Sequence, residues 1–325
     1  MILTVTLNAA IDKTYRVERF SLDRVHRPDE WRIAAGGKGI NVARVFQALG
    51  GNATATGFLG GFNGRFIADS LKSEGIQADF VRTRNESRVC IAIVDPIALT
   101  QTEVNESGPE ISSSEVRKLK RTFERLIKDR DWSFVTLSGS IPPGVPSSIY
   151  ADLIDIARST GTRAVLDASG EALRLGVGAV PWMLKPNIHE LSYLIGQELR
   201  EFTEAENAAR EILKSGVDVI VVTGGKDGCI CVVRDQVWRA KPPQVPFVSA
   251  VGSGDSFLGG FLRTVELDRP MEEALRIGTA AGAANAASYG AGFVTSKQII
   301  DLTERVVITC SDVKKVGKET HAGVL

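Results

Sequence analysis

Strand-like and helix-like patterns alternate along most of the chain. Short apolar runs at residues 165–167, 183–185 and 217–223 are typical of buried strands, and stretches at 147–159 and 203–215 have the spacing of amphipathic helices. Strands that alternate with helices predict an α/β fold with a mainly parallel central sheet and helices on both faces. Because ligands of such sheets bind beyond the carboxyl ends of the strands, a functional site is expected in the loops that follow them.

Two segments break this alternation. Residues 12–35 and 87–104 contain short runs with a two-residue period and no helix between them. They predict a small antiparallel sheet set apart from the main one, and we expect it to be inserted in a single domain spanning residues 1–325. Such a sheet serves as a lid over a cleft or as a dimer interface, since exposed strand edges favour pairing. We expect a homodimer through this lid.

Composition and charge exclude several classes of partner. The 325 residues carry 39 basic and 39 acidic side chains, so no global field attracts nucleic acid or an anionic membrane. No apolar run approaches the ~20 residues that span a bilayer, and the first residues run into a strand pattern rather than an export signal. We expect a cytoplasmic protein with small-molecule ligands. The polar, unpatterned stretch from about residue 311 predicts a frayed tail.

The four cysteines are Cys90, Cys229, Cys231 and Cys310, and they lack the paired CxxC spacing of a zinc or redox site. Cys229 and Cys231 stand two apart in a strand-like run, which puts both on one face. We expect buried free thiols in a reducing cytosol.

The strongest candidate for a reactive site is the run of residues 251–261, where Gly252 and Gly254 precede an apolar helical pattern. A glycine-rich turn that opens a helix leaves N–H groups unpaired at the positive end of the helix dipole, which stabilises a phosphate or a developing anion. Asp255, in the first turn, would lie beside this anion hole. A carboxylate there suits a base that takes a proton from an attacking hydroxyl. The alternative is that Asp255 only caps the helix, although a simple cap does not require both glycines.

A second glycine-rich loop, residues 34–45, also opens a helix. It is not a P-loop, because Arg32 stands where a glycine is needed and Gly39 replaces the Ser or Thr after the lysine, and it lacks the third glycine of a dinucleotide fingerprint. Lys38 and Asn41, one helical turn apart, would instead present a cation and an amide to a polyol phosphate.

Two junctions between strands and loops complete the candidates. In residues 184–191 a proline ends a strand, and Asn187 with Glu190 either forms a capping box or holds hydrated magnesium, which binds through few carboxylates. Residues 222–229 are typical of a strand followed by a hairpin turn, and this turn by itself does not indicate a functional site.

Five motifs in register along nearly the whole chain resemble the ribokinase-like (PfkB) carbohydrate kinases, in particular the branch of 1-phosphofructokinase and tagatose-6-phosphate kinase. The motifs are residues 6–12 (TLNAAID), 36–42 (GGKGINV), 137–144 (LSGSIPPG), 185–190 (KPNIHE) and 252–256 (GSGDS). The resemblance implies a ribokinase-like fold with the small sheet as its lid. It also implies an ATP-dependent and Mg²⁺-dependent kinase that transfers the γ-phosphoryl group to a hydroxyl of a ketohexose monophosphate.

The resemblance further assigns roles to single residues. It implies that Asp255 is the catalytic base and that Gly252 and Gly254 form the anion hole. The residues implied on the substrate side are Asp12, Arg27, Gly37, Lys38, Asn41, Arg88 and Ser138. The residues implied on the nucleotide side are Lys185, Asn187, Glu190, Thr223, Gly225, Gly228, Ser253 and Asn285. Magnesium is expected at Asn187 and Glu190.

The basic residues favour one class of acceptor. Lys38, Arg27 and Arg88 converging at one place would be costly unless an anion neutralised them, which indicates a phosphosugar rather than a free sugar or a nucleoside. Fructose 1-phosphate is the expected acceptor, with tagatose 6-phosphate and fructose 6-phosphate as alternatives. A nicotinamide-dependent oxidoreductase would need a glycine fingerprint that residues 8–12 lack. A non-catalytic sugar-phosphate sensor would tolerate loss of Asp255.

Overall fold

A computed structural model describes residues 1–312, which form ten α-helices and two main β-sheets. The helices are α1 (Lys38–Ala48), α2 (Gly61–Ser73), α3 (Ser113–Asp129), α4 (Ile149–Ser159), α5 (Gly170–Gly178), α6 (Ile188–Ile195), α7 (Phe202–Leu213), α8 (Ser253–Glu266), α9 (Met271–Ala286) and α10 (Ser296–Thr303). The strands are β1 (Ile2–Thr6), β2 (Ala10–Arg16), β3 (Glu30–Gly36), β4 (Ala53–Gly60), β5 (Gln77–Ala78), β6 (Val81–Thr83), β7 (Arg88–Asp95), β8 (Thr100–Asn105), β9 (Phe134–Ser138), β10 (Arg163–Asp167), β11 (Met183–Leu184), β12 (Val219–Thr223), β13 (Cys229–Val232), β14 (Gln236–Lys241) and β15 (Val307–Asp312). Of the predicted frayed tail, Ser311 and Asp312 belong to β15, and the remainder lies outside the described residues.

The larger sheet has the order β15-β14-β13-β12-β11-β10-β9-β1-β4-β5. The pairings from β12 to β5 are parallel, and β13, β14 and β15 extend one edge by antiparallel pairing. Central strands such as β1 and β9 are buried along their whole length, which is the pattern of a sheet covered on both faces. The predicted α/β fold with a mainly parallel central sheet is confirmed.

Successive residues of the central strands point into two separate cores. Ile2, Phe134 and Val165 belong to the core on one face, and their chain neighbours belong to the core on the other. Side chains of α1, α2, α8 and α9 fill the first core, and those of α3 to α7 fill the second. Each face of the sheet is therefore covered by its own layer of helices.

Side-chain caps fix where several helices begin. α6 starts with a capping box, in which Asn187 Oδ1 accepts from the backbone N–H of Glu190 and Glu190 Oε2 accepts from that of Asn187. Ser112 with Glu115 and Thr295 with Gln298 do the same for α3 and α10. The capping interpretation of residues 187–190 is thus borne out by the local geometry.

The smaller sheet, which we call the lid, has the order β3-β2-β7-β8. The β2–β3 and β7–β8 pairs are antiparallel hairpins, and β2 and β7 join them by parallel pairing. Alternation gives the lid two different faces. One cross-strand row consists of Ala34, Asp12, Cys90 and Asn105, and the next row, on the opposite face, consists of Ile33, Lys13, Ile91 and Val104.

The cysteines divide by their position in the sheets. Cys229 and Cys231 are buried in the same core, as predicted for two residues on one face of a strand. The expectation of a buried thiol is wrong for Cys310, which is exposed because β15 is the edge strand of the larger sheet. Within residues 1–312, no helix is both long enough and apolar enough to cross a lipid bilayer.

A glycine allows α1 and α8 to pack at close range. A Cβ atom at Gly259 of α8 would lie 2.8 Å from the carbonyl oxygen of Val42 and 2.8 Å from Val45 Cβ, both in α1. Because no side chain separates the two backbones here, residues near the start of each helix can contact one another. The same contact places the loop before α1 beside the loop before α8.

Gly259→Ala should destabilise the protein by about 1–3 kcal/mol, because the added methyl group forces apart two packed helices. Urea unfolding at constant protein concentration would measure the change. Gly178→Ala, at the end of α5 where an added Cβ meets open space, is the matched control. It should be neutral or slightly stabilising, since alanine favours helices over glycine by about 1 kcal/mol. Equal midpoints for the two variants would contradict this account of the α1–α8 contact.

Candidate active site

A cleft of about 1290 Å³ opens at the carboxyl edge of the parallel strands, between the larger sheet and the lid. Its walls come from the lid, from the start of α1, from the loops after β11 and β12, and from the loop before α8. The volume exceeds the ~300–1,000 Å³ of a site for one drug-sized molecule, so two ligands fit side by side. The position agrees with the rule for ligand sites in parallel α/β sheets.

Asp255 lies in the first turn of α8 at the bottom of the cleft, and it is only 6% exposed. Its Oδ2 atom accepts a hydrogen bond of 2.8 Å from Nδ2 of Asn41 in α1. No side chain caps α8, so the capping alternative does not account for Asp255. Burial raises the pKa of this carboxyl group, nearby Lys38 opposes that shift, and Asp167 adds to it. A raised pKa gives the carboxylate a stronger affinity for a proton, as a general base requires.

The loop before α8 presents unpaired backbone N–H groups to the cleft. Ser253 and Ser256 donate to the carbonyls of Ala250 and Gly252, whereas the amides of Gly252, Gly254 and Asp255 have no acceptor in the described part of the chain. Gly252 has φ 79°, and a Cβ there would meet Ala291 at 2.5 Å, so only glycine fits. These amides form an anion hole at the positive end of the α8 dipole.

Two lysines share one buried carboxylate beneath the anion hole. Lys38 Nζ and Lys185 Nζ lie 3.1 Å and 3.2 Å from Oδ1 of Asp167, which is fully buried at the end of β10. Burial alone would raise the pKa of Asp167, but Lys185 and Lys38 hold it below its usual range. Burial would lower the pKa of Lys38, and the carboxylates of Asp167, Asp255 and Glu190 raise it instead. Asp167 and Lys38 therefore both carry their charges in this contact.

The lid supplies a second pair of opposite charges. Asp12 and Arg88 both line the cleft, and Arg88 is held by hydrogen bonds to the carbonyls of Asn8 and Glu106. Burial raises the pKa of Asp12 to about 7, although Arg88 and Arg44 oppose the shift. A side chain at Gly36 would overlap the Asp12 carboxylate, which explains a glycine at this end of β3.

The other end of the cleft is a mixed polar and apolar surface. Asn187 and Glu190 line it, together with Thr223 and the turn at Gly225 and Gly228 that joins β12 to β13. Its apolar residues are Pro242, Pro243, Val245, Phe247, Ala283 and Ala286. A flat apolar slot beside polar groups suits an aromatic base with a phosphate chain.

The donor set at Asn187 and Glu190 is compatible with a magnesium ion held mainly by phosphates. Within residues 1–312 there is no cluster of three or more potential His, Cys, Asp or Glu ligands. Mg²⁺ keeps several waters and commonly takes only one or two carboxylates beside substrate phosphates. Glu190 uses Oε2 in its cap, so Oε1 is the oxygen left for a hydrated ion in the cleft that Glu190 and Lys185 both line.

The structure brings most of the predicted residues to one cleft, and it places three of them elsewhere. Arg27 is exposed in the loop between β2 and β3 and does not line the cleft. Ser138 is fully buried at the end of β9, beside Asp167 on the next strand. Asn285 is buried behind the anion hole. It accepts from Ser256 Oγ and from the Gly292 amide, and donates to the Val251 carbonyl and Ser253 Oγ, so it supports the loop rather than forming the cleft wall.

Sequence reasoning missed Asp167 and Arg44. Asp167 carried a usable signal, because an aspartate that ends a buried parallel strand lies at the ligand-binding edge of the sheet. The role of Asp167 in joining Lys38 to Lys185 depends on a contact with Lys38, 129 positions away. Arg44 stands three positions from Asn41 on α1, but its contacts with Glu74 and Ala291 come from other segments of the chain. The residues at the apolar end of the cleft, such as Pro242 and Phe247, belong to no motif recognised in the sequence.

Comparison with known proteins agrees with this architecture. Residues 5–298 match the pfkB family of carbohydrate kinases. The chain is 32% identical over 309 residues, or 95% of its length, to 1-phosphofructokinase of Bacillus subtilis (strain 168), of which it covers 99%.

Solved structures show the same similarity. A possible 1-phosphofructokinase from Thermotoga maritima superimposes with a TM-score of 0.87 at 27% identity, covering 97% of this chain and 100% of that one. Phosphofructokinase-2 from Escherichia coli, in complex with substrates and products, gives a TM-score of 0.86 at 30% identity, covering 94% and 98%. The fold, the cleft and the extent of these matches together show that the chain belongs to the pfkB family of carbohydrate kinases, phosphotransferases that act on a sugar hydroxyl.

Proposed function

We propose that this kinase transfers the γ-phosphoryl group of ATP to fructose 1-phosphate and so makes fructose 1,6-bisphosphate. The observation that carries the proposal is the position of Asp255. On one side, the buried carboxylate accepts a hydrogen bond from Asn41 of α1. On the other side it lies beside the anion hole, whose Gly254 is close to Lys185. A base at this junction can reach a hydroxyl on one ligand while the phosphate of the other lies in the anion hole.

In the proposed reaction, a sugar hydroxyl attacks the γ-phosphorus while Asp255 accepts its proton. The new oxygen–phosphorus bond forms as the bond between the γ-phosphorus and the bridging oxygen of ADP breaks. The amides of Gly252 and Gly254, with Lys185, would stabilise the charge that spreads over the transferred group. Magnesium, held at Asn187 and Glu190, would neutralise part of the charge on the nucleotide phosphates.

The charges on the lid side support an acceptor that already carries a phosphate. Lys38 and Arg88 both line the cleft, and Lys38 is one of the two lysines on the single Asp167 carboxylate. Asp12 and Asn41 supply an acceptor and an amide for hydroxyl groups, while Arg88 and Lys38 attract an anion. In this proposal Arg88 is the arginine nearest the sugar phosphate. The family resemblance also implies that Arg27 contributes to the substrate side, and this role stays a prediction because Arg27 lies outside the cleft in this structure.

The relatives favour fructose 1-phosphate over the alternatives. The Bacillus subtilis relative is named 1-phosphofructokinase, and the Thermotoga maritima structure is described as a possible 1-phosphofructokinase. Fructose 6-phosphate stays an alternative, because phosphofructokinase-2 of Escherichia coli, solved with fructose-6-phosphate, is 29% identical to this chain. Tagatose 6-phosphate also stays open.

The outer face of the lid supports the proposal of a homodimer. Trp31 and Val104 there are 61% and 58% exposed, and Ile33 is 44% exposed, although all three are apolar. Their cross-strand neighbours on the same face include Tyr15, Ile91 and Ile93. Lys13 lies between Ile33 and Ile91 on this face, which is therefore mainly apolar with one lysine. Exposed apolar clusters of this kind are typical of an interface, and a second copy of the lid is its proposed partner. The cytoplasm is the proposed location, in keeping with four free cysteines.

Asp255→Asn should lower kcat by ~10²–10⁴ and leave the KM for ATP nearly unchanged, because the amide cannot accept the proton while the nucleotide contacts stay intact. Steady-state kinetics with coupled detection of ADP would measure both constants. Asp218→Asn, an exposed aspartate before β12, is the control and should behave as wild type. An Asp255→Asn enzyme within about threefold of the wild-type kcat would refute the assignment.

The substrate assignment predicts the highest kcat/KM for fructose 1-phosphate in an ADP-release assay across fructose 1-phosphate, fructose 6-phosphate, tagatose 6-phosphate and unphosphorylated fructose. Fructose itself should be the poorest acceptor, since it leaves Lys38 and Arg88 without an anion. Preference for either 6-phosphate would replace the proposed acceptor by that alternative.

Arg88→Ala in the same assay tests the anion site. It should raise the KM for the phosphosugar by ~10-fold or more, as expected for loss of a charge-assisted hydrogen bond, with little change in the KM for ATP. Lys118→Ala, an exposed lysine on α3, should change neither constant. An equal rise in both KM values would show that Arg88 does not act on the sugar phosphate.

Val104→Lys should convert the dimer into a monomer, because it places a charge at an exposed apolar position that pairs with Ile91 on the outer lid face. Sedimentation velocity at several concentrations would show the change in mass. Val307→Lys, which alters an equally exposed valine on the edge strand β15, should leave the dimer intact. A Val104→Lys protein that sediments as wild type would place the interface elsewhere.

A further inference from the structure

Arg44 of α1 lies directly behind the Asn41–Asp255 pair and does not line the cleft. It is 8% exposed, and all of its N–H groups are used. Nε and Nη2 donate to the two carboxylate oxygens of Glu74 at 2.7 and 3.1 Å. The other donors bind Asn41 Oδ1 at 3.0 Å, the Ala291 carbonyl at 2.9 Å and the Ala35 carbonyl at 2.8 Å.

The bond to Asn41 fixes the orientation of its side-chain amide. A guanidinium group can only donate hydrogen bonds, so the atom of Asn41 that faces Arg44 must be the oxygen. The NH₂ group of Asn41 then points to Asp255, where it donates at 2.8 Å. Were the amide rotated by half a turn, its oxygen would face the Asp255 carboxylate and its NH₂ group would face Arg44, and both contacts would become repulsive.

Arg44 itself has little freedom to move. Its guanidinium lies 4.1 Å from the centre of the Phe293 ring, and Arg32 of the lid lies 4.1 Å from the centre of the same ring. The bidentate contact with Glu74 fixes the plane of the group. The Ala291 carbonyl that it binds belongs to the segment against which Gly252 packs. One side chain thus supports both Asn41 and the back of the anion hole.

We propose that Arg44 is a positioning residue for phosphoryl transfer: it sets the orientation of Asn41, and Asn41 holds the Asp255 carboxylate where it meets the acceptor hydroxyl. This inference rests on the proposed function, in which Asp255 is the base. Arg44 does not line the cleft, so its effect should appear in the rate of the chemical step and, through the Asn41 amide, in sugar binding, and not in the binding of ATP.

The test is the kinetics of Arg44→Met, which keeps most of the side-chain length and removes the guanidinium. We expect kcat to fall by ~10–100-fold, the effect of a small misplacement of a catalytic group, while the KM for ATP changes by less than about threefold. Arg163→Met is the matched control. Arg163 also lies 4.1 Å over an aromatic ring and binds a backbone carbonyl, but it begins β10 at the opposite edge of the sheet. Thermal unfolding of each variant separates a loss of stability from a loss of rate.

A double-mutant cycle tests whether Arg44 acts through Asn41. In an Asn41→Ala background, Arg44→Met should lower kcat by less than about threefold, because the amide it would orient is gone. Should Arg44→Met not fold, Arg44→Lys takes its place in the cycle. The lysine keeps the charge, but one ammonium cannot satisfy Asn41, Glu74 and both carbonyls, so kcat should again fall.

Two results would overturn the inference while the proposed function stands. One is a kcat for the Arg44 variant equal to that of Arg163→Met. The other is a full multiplication of the Arg44 and Asn41 effects in the double variant, which would mean that the two residues act independently. Wild-type enzyme that phosphorylated none of the ketohexose phosphates would instead overturn the proposed function, and this inference with it.

Discussion

A buried hydrogen bond between Asn41 and Asp255 joins two helices that are separated by more than two hundred residues in the chain. A carboxylate taken out of water needs a partner, and here the partner is a neutral amide that leaves the charge of the carboxylate available for chemistry. The bond exists because Gly259 lets α1 approach α8 and because both helices begin at the same edge of the sheet. The cleft, the anion hole and the lid are all arranged around this point.

Charge balance explains how the cleft holds several buried charges and is still receptive to phosphate. Two lysines from different walls meet on Asp167, which is buried and has no exit to water. The carboxylates of Asp167 and Asp255 both lie near Lys38, and Lys185 also lies beside Gly254 of the anion hole. Phosphate groups that enter the cleft meet these lysines and the unpaired amides of the anion hole. The protein therefore binds its anionic ligands with a local field, even though its net charge is zero.

The two faces of the lid differ because a β-strand alternates its side chains between faces. Asp12 and Cys90 lie on the face toward the cleft, while Ile91 and Val104 lie on the face toward solvent. Arg32 ties the lid to the segment behind the anion hole through Phe293 and the Tyr289 carbonyl. The lid and the segment behind the anion hole are thereby connected through one aromatic ring.

The sequence by itself determined the fold class, the separate small sheet and the loops that carry the chemistry, because hydrophobic periodicity and glycine-rich helix starts are local signals. It also placed Asp255 at a helix N-terminus, after Gly252, whose left-handed backbone favours glycine. It did not show that Arg44 orients Asn41 or that Asp167 joins two lysines, and it grouped Arg27 and Asn285 with residues that line the cleft. Only the tertiary structure decided those points, since they depend on which distant segments meet and on which way each buried side chain faces.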